Sequence, residues 1–281
     1  MCVTGRDEAK LRAALASVDA SNLRFLIADL AVTDDCMRVA REALSGLGGR
    51  LDVLINNAGG AILGQPWGSA TAEAFDWTMA INVRAPFILT NACADALAST
   101  EGCVVNLSSI AASRPLAGAA AYCASKAAVE MLTKSAALEL APRRVRVNAI
   151  APGTIQTHFH VAGGMDADLA KAYYSASSQT HPIGRIGDVD DIAEMTLFLV
   201  DKARSGVAAC MSHFCGSYFQ LKAGAPNSRF LYDALQVSSL GALCLSMVVG
   251  CSQARRRPRW PPQRERNVTH SSHLGCKRGI Q

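Results

Sequence analysis

One feature restricts the fold of this chain more than any other: from Cys2 to about Val200, short apolar runs take turns with longer segments whose apolar residues recur at helical spacing. The runs Leu23–Ala28, Leu51–Ile55, Cys103–Leu107 and Val145–Ile150 lack a regular polar alternation, as strands covered on both faces do. Between them, Asp7–Val18, Asp34–Leu47, Thr71–Ala98, Ala119–Leu140 and Asp188–Val200 carry the helical period. Strand and helix in turn predict an α/β domain built on a parallel sheet.

The alternation stops near Lys202. Beyond it Gly, Ser and Cys become frequent and the chain reaches RRRPRWPPQRER, so the sequence predicts a division into an α/β domain over 1–202 and a divergent, poorly ordered basic tail over 203–281. The net charge of +5 gathers in that tail, from Arg255 to Arg278, which argues against a basic face for nucleic acid. The apolar run Leu235–Gly250 is shorter than the roughly 17–25 residues of a membrane span, so no membrane anchor is expected. Ten cysteines stand singly with no CxxC pair, and no secretory leader opens the sequence. Both predict reduced thiols, no metal set and a cytoplasmic location.

The strongest chemical signal is Tyr122 followed by Lys126. Four residues apart on a helix, they share one face at about 5–6 Å between Cβ atoms. An ammonium that close favours phenolate and is expected to lower the tyrosine pKa from about 10. Upstream, VVNLSSIAAS reads as a buried strand ending at Ser108 and Ser109, where a parallel sheet offers its carboxyl edge to ligands.

In these residues, together with LINNAG (Asn56, Asn57, Ala58, Gly59), AINVRAPF (Asn82) and RVRVNAIAPGTIQT (Pro152, Gly153, Thr157), the chain resembles the short-chain dehydrogenase/reductase family. The resemblance implies Tyr122 as proton donor or acceptor, Ser109 polarising the substrate carbonyl (Ser108 if the register slips by one), Lys126 on the nicotinamide ribose and Asn82 holding a water in the proton relay. It also implies a cofactor lined by Asn56, Ala58, Gly59, Tyr122, Lys126, Pro152, Gly153 and Thr157. The activity implied is exchange of hydride between NADP or NAD and a small alcohol or carbonyl compound, carbonyl or 3-oxoacyl reductase-like. Homo-oligomers would form through the helices around Trp77–Leu97 and Ala121–Leu140.

Family members begin with a strand and a TGxxxGIG turn that holds the cofactor pyrophosphate at a helix N-terminus. The opening CVTGRDEAKL resembles instead the end of their second strand. The fold expected is therefore a Rossmann-like doubly wound sheet lacking the first strand and glycine-rich turn, with a gap at its centre. Arg6 after that strand favours NADP over NAD, and Asp29 matches an adenine contact. From about Ala208 no family likeness is expected. In the loop from Thr154 to Gly184, where the family folds a lid over substrate, the resemblance puts His158, His160 and His181 within reach of substrate, though they read first as exposed loop residues. The alternative to an enzyme is a catalytically silent, truncated homologue that acts as a partner or regulatory subunit.

Overall fold

The computed structural model describes residues 1–16, 23–201, 207–208, 211–214 and 246–249. Elements follow in the order β1 (Cys2–Gly5), α1 (Glu8–Ala14), β2 (Arg24–Ile27), α2 (Thr33–Gly46), β3 (Val53–Asn56), α3 (Ala72–Met79), a π turn (Ala80–Arg84), α4 (Ala85–Ser99) and β4 (Cys103–Leu107). A 3₁₀ turn (Ile110–Ala112), α5 (Ala120–Leu140), β5 (Arg146–Pro152), α6 (Phe159–Ala162), α7 (Ala167–Thr180), α8 (Val189–Val200), β6 (Met211–Phe214) and β7 (Ser246–Val249) complete them.

The strands form one sheet in the order β2-β1-β7-β3-β4-β5-β6. The pairs β1·β2, β3·β4, β4·β5 and β5·β6 are parallel. Side chains of β3 explain why its run is apolar throughout: Leu54 enters one buried layer with Val39, Leu89 and Leu97, while Val53 and Ile55 enter another with Leu11, Ala193 and Leu199. Alternate residues thus meet helices on opposite faces, and neither face has use for a polar residue.

At its centre the sheet differs from expectation. No gap separates β1 from β3, because β7 lies between them and pairs antiparallel with both, Val248 opposite Cys2 on one side and Leu54 on the other. The physical reason is the cost of leaving the N–H and C=O groups of two buried strand edges unpaired, about 1–3 kcal/mol each. A four-residue stretch of the apolar Leu235–Gly250 run meets that need, with two valines suited to a strand. Two of the seven strands therefore come from beyond Lys202. The arginine-rich stretch of the expected tail lies outside the described residues.

The expected helix over Thr71–Ala98 is interrupted by the π turn, in which the Ala85 N–H bonds the Ala80 carbonyl five residues back. Pro86 has no N–H to return to the Asn82 carbonyl, so the regular ladder is already broken there. Among the described residues no helix is long and apolar enough to cross a membrane.

Candidate active site

Because β1 to β5 run parallel, the segments that leave their carboxyl ends gather on one edge of the sheet: Arg6, Asp29, Asn57–Gly60, Ser108–Ser109 and Gly153. Ligands bind at that edge in open α/β sheets.

Helix α5 brings Tyr122 and Lys126 there. Its buried stripe is Tyr122, Ser125, Lys126, Val129, Thr133 and Ala137, so the phenol and the ammonium lie one turn apart on the face turned to the sheet. Lys126 is 5% exposed and its Nζ donates to the Leu107 carbonyl at 2.7 Å, at the end of β4. Immediately after that strand the two serines part. Ser108 is tied to α5 through the Lys126 carbonyl and Glu130, both at 3.3 Å. Ser109 is the one that hydrogen-bonds Tyr122, while its Oγ also accepts from the Ala111 N–H at 3.1 Å.

The Tyr122 pKa is not lowered here, contrary to expectation. Burial pushes it up to about 12, and the hydrogen bond from Ser109 opposes that only in part. The ammonium is 5.7 Å from the phenol ring centroid and directs a proton to Leu107. Desolvation outweighs a charge at that range, and the phenol keeps its proton at neutral pH.

Asn82, in the π turn and 1% exposed, works as a rivet. Its Oδ1 accepts from the Gly60 N–H at 2.9 Å, and its Nδ2 donates to the Gly60 carbonyl at 2.8 Å and to Ser125 Oγ at 2.9 Å. Ser125 in turn donates to the Tyr122 carbonyl. The turn after β3 is therefore joined to α5 through one amide. Glycine is required at 59, since a Cβ there would stand 2.8 Å from Asn82 Oδ1 and 3.4 Å from Lys126 Nζ.

Other candidates are placed differently. Asn56 ends β3 with its side chain in the core, where Nδ2 donates to Asn106 Oδ1 at 2.8 Å and Thr90 Oγ1 at 3.2 Å. It ties strand to strand and to α4, away from the edge. Ala58 is buried beside the Asn82 turn. Arg6 is exposed past β1. Asp29 turns its carboxylate back on its own turn, accepting from the Ala31 N–H at 2.9 Å. Pro152 ends β5 with Gly153 after it. Thr157 accepts from the Phe159 N–H through Oγ1 and from Tyr174 through its carbonyl.

An aromatic wall closes the site, and sequence reasoning missed it. Phe159 lies with its ring centroid 5.3 Å from that of Tyr122. His160 continues the wall, 5.5 Å from Phe159 and 4.6 Å from Tyr173. It is half-buried, as is His181, whereas His158 is exposed as expected. The available signal was the occurrence of Phe159, His160, Tyr173 and Tyr174 within one short stretch.

A profile of the family described as Enoyl-(Acyl carrier protein) reductase matches residues 1–216. The chain belongs to the short-chain dehydrogenase/reductase family. The match runs past Ala208, where likeness was expected to end, and takes in β6, which continues the parallel sheet beside β5. Among short-chain dehydrogenase/reductase relatives, L-xylulose reductase of Mesocricetus auratus is 37% identical over 161 residues, covering 57% of this chain and 64% of the relative. Carbonyl reductase [NADPH] 2 of Sus scrofa is 34% identical over 161 residues, with the same coverage of 57% and 64%. The chain thus spans somewhat less than two thirds of either relative. A short-chain dehydrogenase/reductase of unknown function from Caenorhabditis elegans, crystallised with cofactor, superposes with a TM-score of 0.70 at 28% identity, covering 76% of this chain and 83% of that one.

Proposed function

We propose that this chain is an oxidoreductase that interconverts a secondary alcohol and a ketone with NADP, or less favourably NAD, and that Ser109, Tyr122 and Lys126 carry the reaction. The observation that supports it is the buried Tyr122 phenol, hydrogen-bonded to Ser109 and one helical turn from Lys126, at the sheet edge where ligands bind.

The nicotinamide end of the site suits such a cofactor: the buried Lys126 ammonium lies beside the turn at Gly59, and Pro152 and Gly153 stand at the carboxyl end of β5 on the same edge. When bound, the nicotinamide supplies or takes up the hydride at the substrate carbon. Tyr122, protonated at neutral pH, gives its Oη proton to the nascent alkoxide in the reducing direction, and Ser109 holds the same oxygen. Asn82 keeps the 59–60 turn and α5 in register for this, and is our candidate for holding a relay water. The remaining cofactor contacts proposed are Arg6, Asp29, Ala58 and Thr157; Asn56, held in the core by Asn106 and Thr90, is not among them. An exposed Arg6, together with an Asp29 carboxylate already engaged by its own turn, favours a 2′-phosphate and hence NADP. The pig relative's name also carries NADPH.

Two further readings belong to the proposal. Phe87, Met131 and Leu138 stand 57%, 63% and 79% exposed on α4 and α5, which supports homo-oligomers through these helices. Cys2, Cys36, Cys93, Cys103 and Cys123 are free thiols, which suits the cytoplasm.

One observation favours the silent alternative. The strand between β1 and β3 is antiparallel, so its amino end, Ser246, lies at the ligand edge, and among the described residues no strand-to-helix turn leaves that position to receive a pyrophosphate. Titration with NADPH and NADH, followed by nicotinamide fluorescence, decides between the two. Saturable binding, together with loss of turnover but not of binding in Tyr122→Phe, is expected. A folded chain that binds neither cofactor, or a Tyr122→Phe variant as active as the parent, overturns the proposal.

A further inference from the structure

The wall over Tyr122 contains a hydrogen-bonded chain whose proton positions are fixed by valence. Tyr174 donates its only hydroxyl proton to the Thr157 carbonyl at 2.6 Å. The same Oη lies 2.8 Å from His160 Nδ1. Because the phenol proton is spent on an oxygen that has none to return, Nδ1 must be the donor in that second bond. A neutral His160 then carries its lone pair on Nε2, for which no hydrogen bond is made among the described residues. Burial holds the His160 pKa below the ordinary histidine value, which keeps the ring neutral.

The ring is also held in place sterically. It packs at 4.6 Å on Tyr173 and meets Phe159 and Tyr174 edge-on, at interplanar angles of 88° and 87°. Phe159 continues to the Tyr122 ring, and the Tyr173 phenol is close enough to act on Tyr122 electrostatically. A fixed tautomer on a fixed ring, within the same aromatic wall as the reacting phenol, makes a preorganised acceptor. The rest of the wall is apolar or already paired, including Tyr173, whose Oη lies 3.4 Å from Thr154 Oγ1.

We propose that His160 Nε2 is a specificity-determining acceptor for a substrate hydroxyl near the carbonyl that is reduced, so that the site prefers hydroxylated ketones to plain ones. This rests on the oxidoreductase reading above. Tyr174 is the positioning residue that sets the tautomer.

Two readouts test it apart from that reading. Histidine ¹⁵N–¹H correlation spectra of the full chain, recorded with and without NADP⁺ and assigned with His160→Phe, should show Nε2 as the unprotonated nitrogen. That signal should move when 3-hydroxybutanone is added and stay put with 2-butanone. In turnover with NADPH, His160→Phe, which keeps an aromatic ring, should raise KM for 3-hydroxybutanone about tenfold relative to KM for 2-butanone, the loss of one hydrogen bond. Tyr174→Phe should let both tautomers populate and reduce the discrimination. A protonated Nε2, or an equal response to both ketones, overturns the inference. The expected spectral response in a chain that reduces neither ketone upholds the acceptor and sinks the oxidoreductase reading instead.

Discussion

Replacing Asn82 by alanine tests the idea that one buried amide holds the site together. The substitution removes three hydrogen bonds, two to the Gly60 backbone and one to Ser125 Oγ. Ser125 keeps its bond to the Tyr122 carbonyl, so the main loss falls on Gly60. A buried backbone group left unpaired costs about 1–3 kcal/mol. Gly60 is only partly buried, and water can reach it in part. We therefore expect a loss of roughly 2–4 kcal/mol, the lower part of the range for two such groups. At about 2–4 °C per kcal/mol for a chain of this size, the melting temperature should fall by roughly 5–15 °C. Urea denaturation gives the free energy directly. Asn82→Asp is the control: its carboxylate still accepts from the Gly60 N–H but confronts the Gly60 carbonyl with no proton to offer. Burial must raise the pKa of that aspartate, so its folded state is best below the ordinary carboxylate value and loses stability as pH rises through the raised one. An Asn82→Ala variant within about 0.5 kcal/mol of the parent, the spread of ordinary surface changes, would refute the rivet.

Two other outcomes follow from the geometry. Val248→Pro removes a donor from the middle of the sheet and should cost roughly 1–3 kcal/mol, and a chain ending at Leu245 should be far less stable than one ending at Cys251; equal melting of the two truncations by circular dichroism would dismiss β7 as a sheet member. Tyr122, raised to about 12 when folded against about 10 when unfolded, contributes stability that is intact below pH 10 and is lost as pH rises from there toward 12. Denaturation midpoints should therefore fall less steeply in Tyr122→Phe over that window, and parallel curves would count against the burial argument.

Local pattern carried most of the framework. The strands around Leu54, Val105 and Val147 and the helix from Ala120 to Leu140 are legible because their covering layers impose periods on the sequence itself. The spacing of Tyr122 and Lys126 is legible for the same reason. What pattern could not supply is anything set by partners distant along the chain. The Tyr122 pKa is governed first by burial, and the ring it packs on, Phe159, is 37 positions away. The choice between Ser108 and Ser109 depends on which hydroxyl the strand end turns toward α5. Asn56 resembles an edge residue until Asn106 and Thr90 are seen to hold it in the core. The strand at Ser246–Val249 read as a short apolar run because nothing in those four residues tells of a vacant slot beside Cys2.

That strand also orders events during synthesis. Cys2 pairs directly with Arg24 on one side but with Val248 on the other, close to opposite ends of the chain. On a ribosome the β3·β4·β5 ladder can assemble as it emerges, while the outer β1·β2 pair must wait for Ser246–Val249 before it is stitched to the rest. Contacts of such sequence separation form slowly, since the loop must close before any bond rewards it. Until then two apolar strand edges stand open to pairing with a neighbouring molecule.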